Sequence, residues 1–171
     1  IDSDVNSSQV SCRIGTNNLQ AGIKAAEAAL ATDDEELYIG IVNYDVNSAN
    51  GQQRELGFRQ TVEQDPRVKN ITTINVLSTT EDARAGAKEM LLSDSRINVV
   101  VTFNEWTSLG VGWAIRDLNR ADRIQVVAFD SNVVSVGMLE TGEVDALIVQ
   151  NPYAMGYLGV ETAANLMNGQ T

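Results

Sequence analysis

At 171 residues the chain is long enough for one domain with a sizeable core, and its apolar content of 43% points to a globular fold rather than disorder. A net charge of −11 argues against a nucleic-acid partner, because phosphate binding needs basic clusters. With no His and one Cys, most metal sites, the commonest general base and any internal disulfide drop out. The lone Cys12 is read as an inert structural thiol.

Ile1–Asp4 has neither the basic start nor the apolar core of a signal peptide, fits a mature product or an excised segment, and reads as the tail of a strand. Val5–Arg13 is polar and aperiodic, a loop. Asn17 or Asn18 caps a helix from Leu19 to about Ala31, with Leu19, Ile23, Ala26 and Leu30 at helical spacing. The acidic run Asp33-Asp34-Glu35-Glu36 is a solvated loop after it. Leu37–Asn43 predicts a strand. Ser48–Gln64 predicts a helix, with Leu56 and Phe58 inward and Pro66 beyond its end. Asn70–Leu77 alternates and predicts a strand. Thr79 or Thr80 caps a helix over Glu81–Ser93, whose Ala83, Ala87, Met90 and Leu91 share one face.

Ile97–Phe103 is a continuous apolar strand, far too short to span a bilayer. Asn104 or Thr107 begins a helix to about Asn119, with Val111, Ala114, Ile115, Leu118 and Trp113 in the core. Ile124–Phe129 is a buried strand ending at Asp130. Val133–Glu140 is a short helix closed by Gly142. Asp145–Val149 is the last strand, halted at Gln150-Asn151-Pro152. Tyr153–Asn168 is the last helix, its stripe formed by Gly156, Val160, Ala163, Ala164 and Met167, with Gly169 as its stop.

Strand and helix alternate throughout, and the strands from Leu37 onward are mostly apolar on both faces. That pattern predicts an α/β fold with an open, doubly wound, mainly parallel sheet covered by helices. In such sheets ligands bind beyond the carboxyl ends of the strands. Arg54, Thr79, Asn104, Asp130 and Gln150 all follow strands and are expected on one rim. Capping explains each polar strand end singly. Together, two amides, a carboxylate and a guanidinium suit a neutral, hydroxyl-rich molecule. Trp106, two residues past Asn104, either packs or stacks on a sugar face. The rim holds no activated nucleophile and no evident metal cage, so neither an enzyme nor a cofactor is expected. Gly110-Val111-Gly112 lies inside a helical pattern and is not a dinucleotide fingerprint.

The segments IGTNNLQAG (14–22), GQQRELGF (51–58), VVTFNEWTSLGVGWAI (100–115), IQVVAFDS (124–131) and MLETGEVDALIVQNPYAMGYLGVETA (138–163) stand in an informative order and spacing. The chain resembles the C-terminal lobe of the type I periplasmic binding proteins, the ribose-binding-like solute receptors of sugar ABC transporters. The resemblance implies a bacterial receptor whose two lobes close over a sugar. It assigns sugar contacts to Arg54, Asn104, Asp130 and Gln150, and matches the Asp ending the first inter-lobe strand to Asp2. Ser3 and Thr79 depart from the ribose-binder pattern, which has a basic residue and a stacking aromatic there. Residues 1–151 are then the ligand-binding lobe, and residues 152–171 a helix that packs on an N-terminal lobe absent from this chain. With its partner surface lost, that helix either folds back or pairs with another copy. The expected partners are the sugar, the transporter permease and the other lobe, in the periplasm or on the cell surface as a lipoprotein. The alternative is the effector domain of a LacI-type repressor, but GEVDALIVQNPYAMGY differs from the P-x-L-T-T-V-x-Q-P of those repressors.

Overall fold

A computed structural model describes residues 1–5 and 7–169. Asn6, in the loop expected over Val5–Arg13, and Gln170 and Thr171, the end of the 152–171 segment, lie outside the described residues. The chain divides into two compact units, Asn18–Val149 and a smaller one made of Ile1–Asn17 with Gln150–Thr171.

The larger unit alternates strictly: α1 (Asn18–Leu30), β1 (Leu37–Asn43), α2 (Ala49–Val62), β2 (Val68–Asn75), α3 (Thr80–Ser93), β3 (Val99–Thr102), α4 (Glu105–Leu118), β4 (Gln125–Phe129), α5 (Val133–Thr141) and β5 (Ala146–Ile148). The strands form one sheet in the order β2-β1-β3-β4-β5, and every pairing is parallel. Chain order reverses between β1 and β3. The crevice beyond their carboxyl ends is where this architecture places ligands.

The central strands are buried on both faces, which is why they read as unbroken apolar runs. Alternate residues feed two cores. Ile39, Ile41, Val99, Val101, Phe103, Val127 and Phe129 pack with Phe58, Val62 and the alanines of α1. Val42, Val100, Val126 and Ala128 pack on the other face with Ala87, Leu91, Val111, Ile115 and Met138. Phe58, Phe103 and Phe129 form an edge-to-face chain, with ring centroids 6.0 and 5.7 Å apart.

Several details differ from the sequence expectations. The buried stripe of α1 is Asn18, Gly22, Ala25, Ala26 and Ala29, not the larger Leu19 and Ile23. Small residues win because α1 lies against the backbone of α2. A Cβ on Gly22 would stand 2.0 Å from the Arg54 carbonyl oxygen, and one on Gly57 2.1 Å from that of Leu19. Leu56 is 49% exposed, since Phe58 and Val62 take the inner face. β2 starts and ends two residues before the expected strand and leaves Leu77 outside it, 73% exposed. Trp113 is half-buried, its ring under the Arg116 guanidinium at 4.6 Å. Cys12 is exposed rather than structural.

In the smaller unit, Ile1–Asp4 is not a strand. Asp2 adopts φ 68° while its N–H donates to the Ile14 carbonyl at 2.8 Å, and Asp4 pairs with Arg13 at 2.9 Å. α6 (Pro152–Met167) is capped by the Asn151 side chain and has no buried residue; Tyr153 is 83% exposed and Val160 73%.

Between α3 and α4, Asp117 receives hydrogen bonds from Arg84 at 2.6 and 2.7 Å and from Lys88 at 3.2 Å. The Arg84 hydrogen bonds, then that of Lys88, lower its carboxyl to about 2. A carboxyl held lower in the fold than in the unfolded chain contributes stability above the unfolded value, and this is lost as pH falls through the folded one.

Two outcomes are expected. In urea titrations, Gly22→Ala or Gly57→Ala should lose about 1–3 kcal/mol, because overpacking against backbone outweighs the roughly 1 kcal/mol that Ala gains in a helix. Loss below about 0.5 kcal/mol would mean that the helices separate at little cost. Asp117→Asn should flatten the fall of the urea midpoint between about pH 4 and pH 2 relative to the parent. An unchanged slope there would show that Asp117 carries none of it.

Candidate functional site

The candidate site starts from the strand ends that flank the sheet's switch point. β1 ends at Asn43, and Ser48 caps α2 by accepting from the Gly51 N–H. This brings Arg54 round on the second turn of α2, where it is 2% exposed. Its Nε donates to Asn18 Oδ1 at 2.9 Å and its Nη1 to the Phe103 carbonyl at 2.6 Å. Its guanidinium carbon lies 4.9 Å from the centre of the Phe129 ring, a cation–π distance. Asn18 is itself held, its Nδ2 donating to Asn50 Oδ1 at 3.1 Å. A buried guanidinium is costly unless hydrogen-bonded, and these contacts meet that need while fixing its plane.

Phe103 and Phe129 immediately precede Asn104 and Asp130. Arg54 thus touches the two strand ends that carry the predicted contacts Asn104 and Asp130. Asn104 is the N-cap of α4, with Oδ1 accepting from the Thr107 N–H at 2.9 Å and from its hydroxyl at 2.7 Å. That orientation leaves Nδ2, a buried donor with no hydrogen-bond partner among the described residues. Buried amide donors are seldom left so, since each costs about 1–3 kcal/mol. Asp130 follows β4 with φ 64°, while its N–H continues the ladder to the Ile148 carbonyl at 3.0 Å. The turn to α5 is closed by Asn132, whose Nδ2 donates to Glu105 Oε1 at 2.5 Å.

The other predicted residues are placed differently. Thr79 is exposed and caps α3, bonded to Asp82, and it follows β2, the edge strand separated from β3 by β1. Trp106, in the first turn of α4, is 50% exposed. Asp2 and Gln150 belong to the smaller unit. There Asp2 is exposed, and Gln150 Oε1 accepts from the Thr16 hydroxyl at 2.7 Å. Sequence reasoning missed Asn18 and Asn50 as the residues that orient Arg54. The available signal was a polar residue heading an otherwise apolar stripe, Asn18-Gly22-Ala25-Ala29. Among the described residues there is no cluster of His, Cys, Asp or Glu fit for a metal ion. No helix among them is long and apolar enough to cross a membrane.

An open parallel sheet with polar side chains at its carboxyl ends is the arrangement in which α/β proteins place ligands. The chain belongs to the periplasmic binding protein family of type I: a periplasmic binding protein domain model matches residues 1–171. It is similar to the D-ribose/D-allose-binding protein of Pseudomonas aeruginosa, with 28% identity over 133 residues, 78% of this chain and 41% of that protein. Among solved structures, it matches the periplasmic component of an ABC-type sugar transport system from Hahella chejuensis at 30% identity and TM-score 0.94, over 99% of this chain and 62% of that one. A carbohydrate transporter solute-binding protein from Agrobacterium radiobacter, in complex with D-arabinose, matches at 28% identity and TM-score 0.94, over 99% and 59%. The chain therefore spans less than half of the curated relative and about three fifths of these structures.

The left-handed backbone at Asp130 sets a stability test. Asn tolerates that region nearly as well as Asp, whereas a β-branched residue does not. Asp130→Val should be less stable than Asp130→Asn by about 1–3 kcal/mol in chemical denaturation. Equal stabilities would mean that the bend relaxes.

Proposed function

We propose that this chain is one lobe of an extracytoplasmic solute receptor that binds a sugar or sugar-like solute for an ABC transporter. The observation that carries the reading is Arg54, held by Asn18 and the Phe103 carbonyl and lying against Phe129, so that a fixed guanidinium sits beside the strand ends bearing Asn104 and Asp130. A carboxylate accepts from adjacent hydroxyls, an amide does both, and a guanidinium donates in a fork. The named ligands of relatives, D-ribose, D-allose and D-arabinose, have this hydroxyl-rich chemistry. The family resemblance also assigns a sugar contact to Gln150 and matches Asp2 to the family's inter-lobe Asp, and in this reading Trp106 is a stacking surface and Thr79 a peripheral one. The role is binding, not catalysis.

The receptor's second lobe lies outside this chain, and closure between lobes excludes water and strengthens each hydrogen bond. α6, with no buried residue, packs on that lobe in the intact receptor, and in the isolated chain it serves self-association. The permease of the transporter is the downstream partner.

The test is calorimetric titration of the two-lobed protein with pentoses and hexoses. Asp130→Ala should weaken binding by about 2–4 kcal/mol, because bound hydroxyls lose a charged acceptor. The chain alone should bind the same sugar at least about 100-fold more weakly than the two-lobed protein, since it keeps only part of the contacts. Undiminished affinity in Asp130→Ala would remove Asp130 from the site.

A further inference from the structure

We propose that Ser108 is a positioning residue for ligand binding: a buried hydroxyl that holds apart, at a set spacing, the two strand ends carrying Asn104 and Asp130. The proposal rests on the receptor reading above, in which those two residues meet the ligand.

The regular pairing of β3 with β4 runs from Val99↔Gln125 to Val101↔Val127 and goes no further. On either side the sheet continues: β1 stays paired with β3 to Val42↔Thr102, and β4 with β5 to Phe129↔Ile148. The sheet thus forks between its third and fourth strands, just where Asn104 and Asp130 follow. Backbone groups in such a fork need other partners, because buried peptide groups are costly to leave unpaired. Two side chains supply them. Arg54 donates to the Phe103 carbonyl on one prong. Ser108 serves the other, accepting from the Phe129 N–H at 3.0 Å.

Ser108 also reaches across the fork. It stands on the first turns of α4 and is 1% exposed. Its Oγ lies 2.6 Å from the Asn104 carbonyl, 2.8 Å from the Phe129 carbonyl and 2.7 Å from the Thr102 hydroxyl. A serine hydroxyl has one proton and two lone pairs. One lone pair takes the Phe129 N–H, and with the Thr102 hydroxyl donating to the other, the proton goes to either carbonyl. Every bonding capacity is used, and the partners belong to both prongs. The hydroxyl therefore fixes the peptides from which Asn104 and Asp130 project. Thr102, by contrast, completes the Ser108 hydroxyl but bonds through its side chain to neither ligand-facing strand end. A Ser at a helical core position, in line with Val111 and Ile115, is the sequence mark of such a role.

The comparison of Ser108→Ala with Thr102→Val in the intact protein separates positioning from plain stabilisation. Each variant removes one hydroxyl of the same pair, so both should lower the urea midpoint. Calorimetric titration with D-ribose, D-allose and D-arabinose should show Ser108→Ala weakened by about 10-fold or more, and Thr102→Val by less than about 2-fold, on the tenfold-per-1.4-kcal/mol scale. Amide hydrogen exchange should be faster at Phe129 and Asp130 in Ser108→Ala, and unchanged at Val126 and Val127 within the ladder. Should Ser108→Ala fail to fold, Ser108→Cys, similar in shape but a weaker donor and acceptor, should show the same two changes in smaller measure. Affinity within about 2-fold of the parent, or losses equal in both variants, would overturn the proposal. If the parent binds none of the three sugars, the receptor reading is judged by the wider titration with pentoses and hexoses. The exchange rates still judge the fork, and unaltered rates at Phe129 and Asp130 would reject it.

Discussion

A single buried guanidinium organises the carboxyl-end rim of the larger unit's sheet. Arg54 reaches from α2 to the Phe103 carbonyl, rests against the Phe129 ring and leans on Asn18. It therefore joins the first helix, the second helix and the two central strand ends. Its position depends on how closely α1 and α2 approach. That approach is set by Gly22 and Gly57, each of which lies against a carbonyl of the other helix. The site's electrostatics thus rest on backbone contact between these two helices, in one case at the carbonyl of Arg54 itself. Low dielectric makes such a satisfied cluster rigid, and a half-satisfied one would be worse than an apolar core.

The sheet is graded in the same direction. Its centre is dry on both faces, and its β2 edge is half-exposed and polar, with Asn70, Thr72 and Thr73 in the strand. An edge of that kind does not invite further pairing. The β3–β4 fork opens from the dry centre: Arg54, Asn104 and Ser108 are buried there, Arg54 against the Phe129 ring, while Asp130 is half-buried. Directional hydrogen bonds discriminate best in such surroundings, because a mismatched ligand leaves buried groups unpaired.

Much of this is legible in the sequence, for physical reasons that can be named. LYIGIVN is apolar on both faces and bounded by polar turns, and the strand occupies those residues, Leu37–Asn43. Gly142 closes α5 with φ 82°, as a glycine after an apolar helix predicts. The strand-end rule selects Arg54, Thr79, Asn104, Asp130 and Gln150, and Arg54 is in contact with Phe103 and Phe129, the residues preceding Asn104 and Asp130. Thr79 satisfies the same rule yet caps its own helix at the sheet's edge, because strand order is not written in local pattern. Leu56 and Leu19 mislead for a related reason. Hydrophobicity predicts burial only when the facing surface has room, and α1 and α2 are too close for large side chains. Asn18 enters the sequence reading only as a helix cap and Ser108 not at all: a polar residue on an apolar stripe marks each, but the partners that give them their roles are tertiary.

The left-handed bend at Asp130 has a meaning for how a site of this kind can diversify. Asp, Asn and Gly are the residues most at ease with φ near 64°. Position 130 therefore has a narrow alphabet: a carboxylate, a carboxamide or no side chain at all. A β-branched residue fits that conformation poorly, whatever ligand would favour it. On the proposed receptor reading, a lineage changing its ligand would sooner vary at exposed Trp106, whose helical backbone accepts nearly any residue, while position 130 stays an acceptor or falls silent.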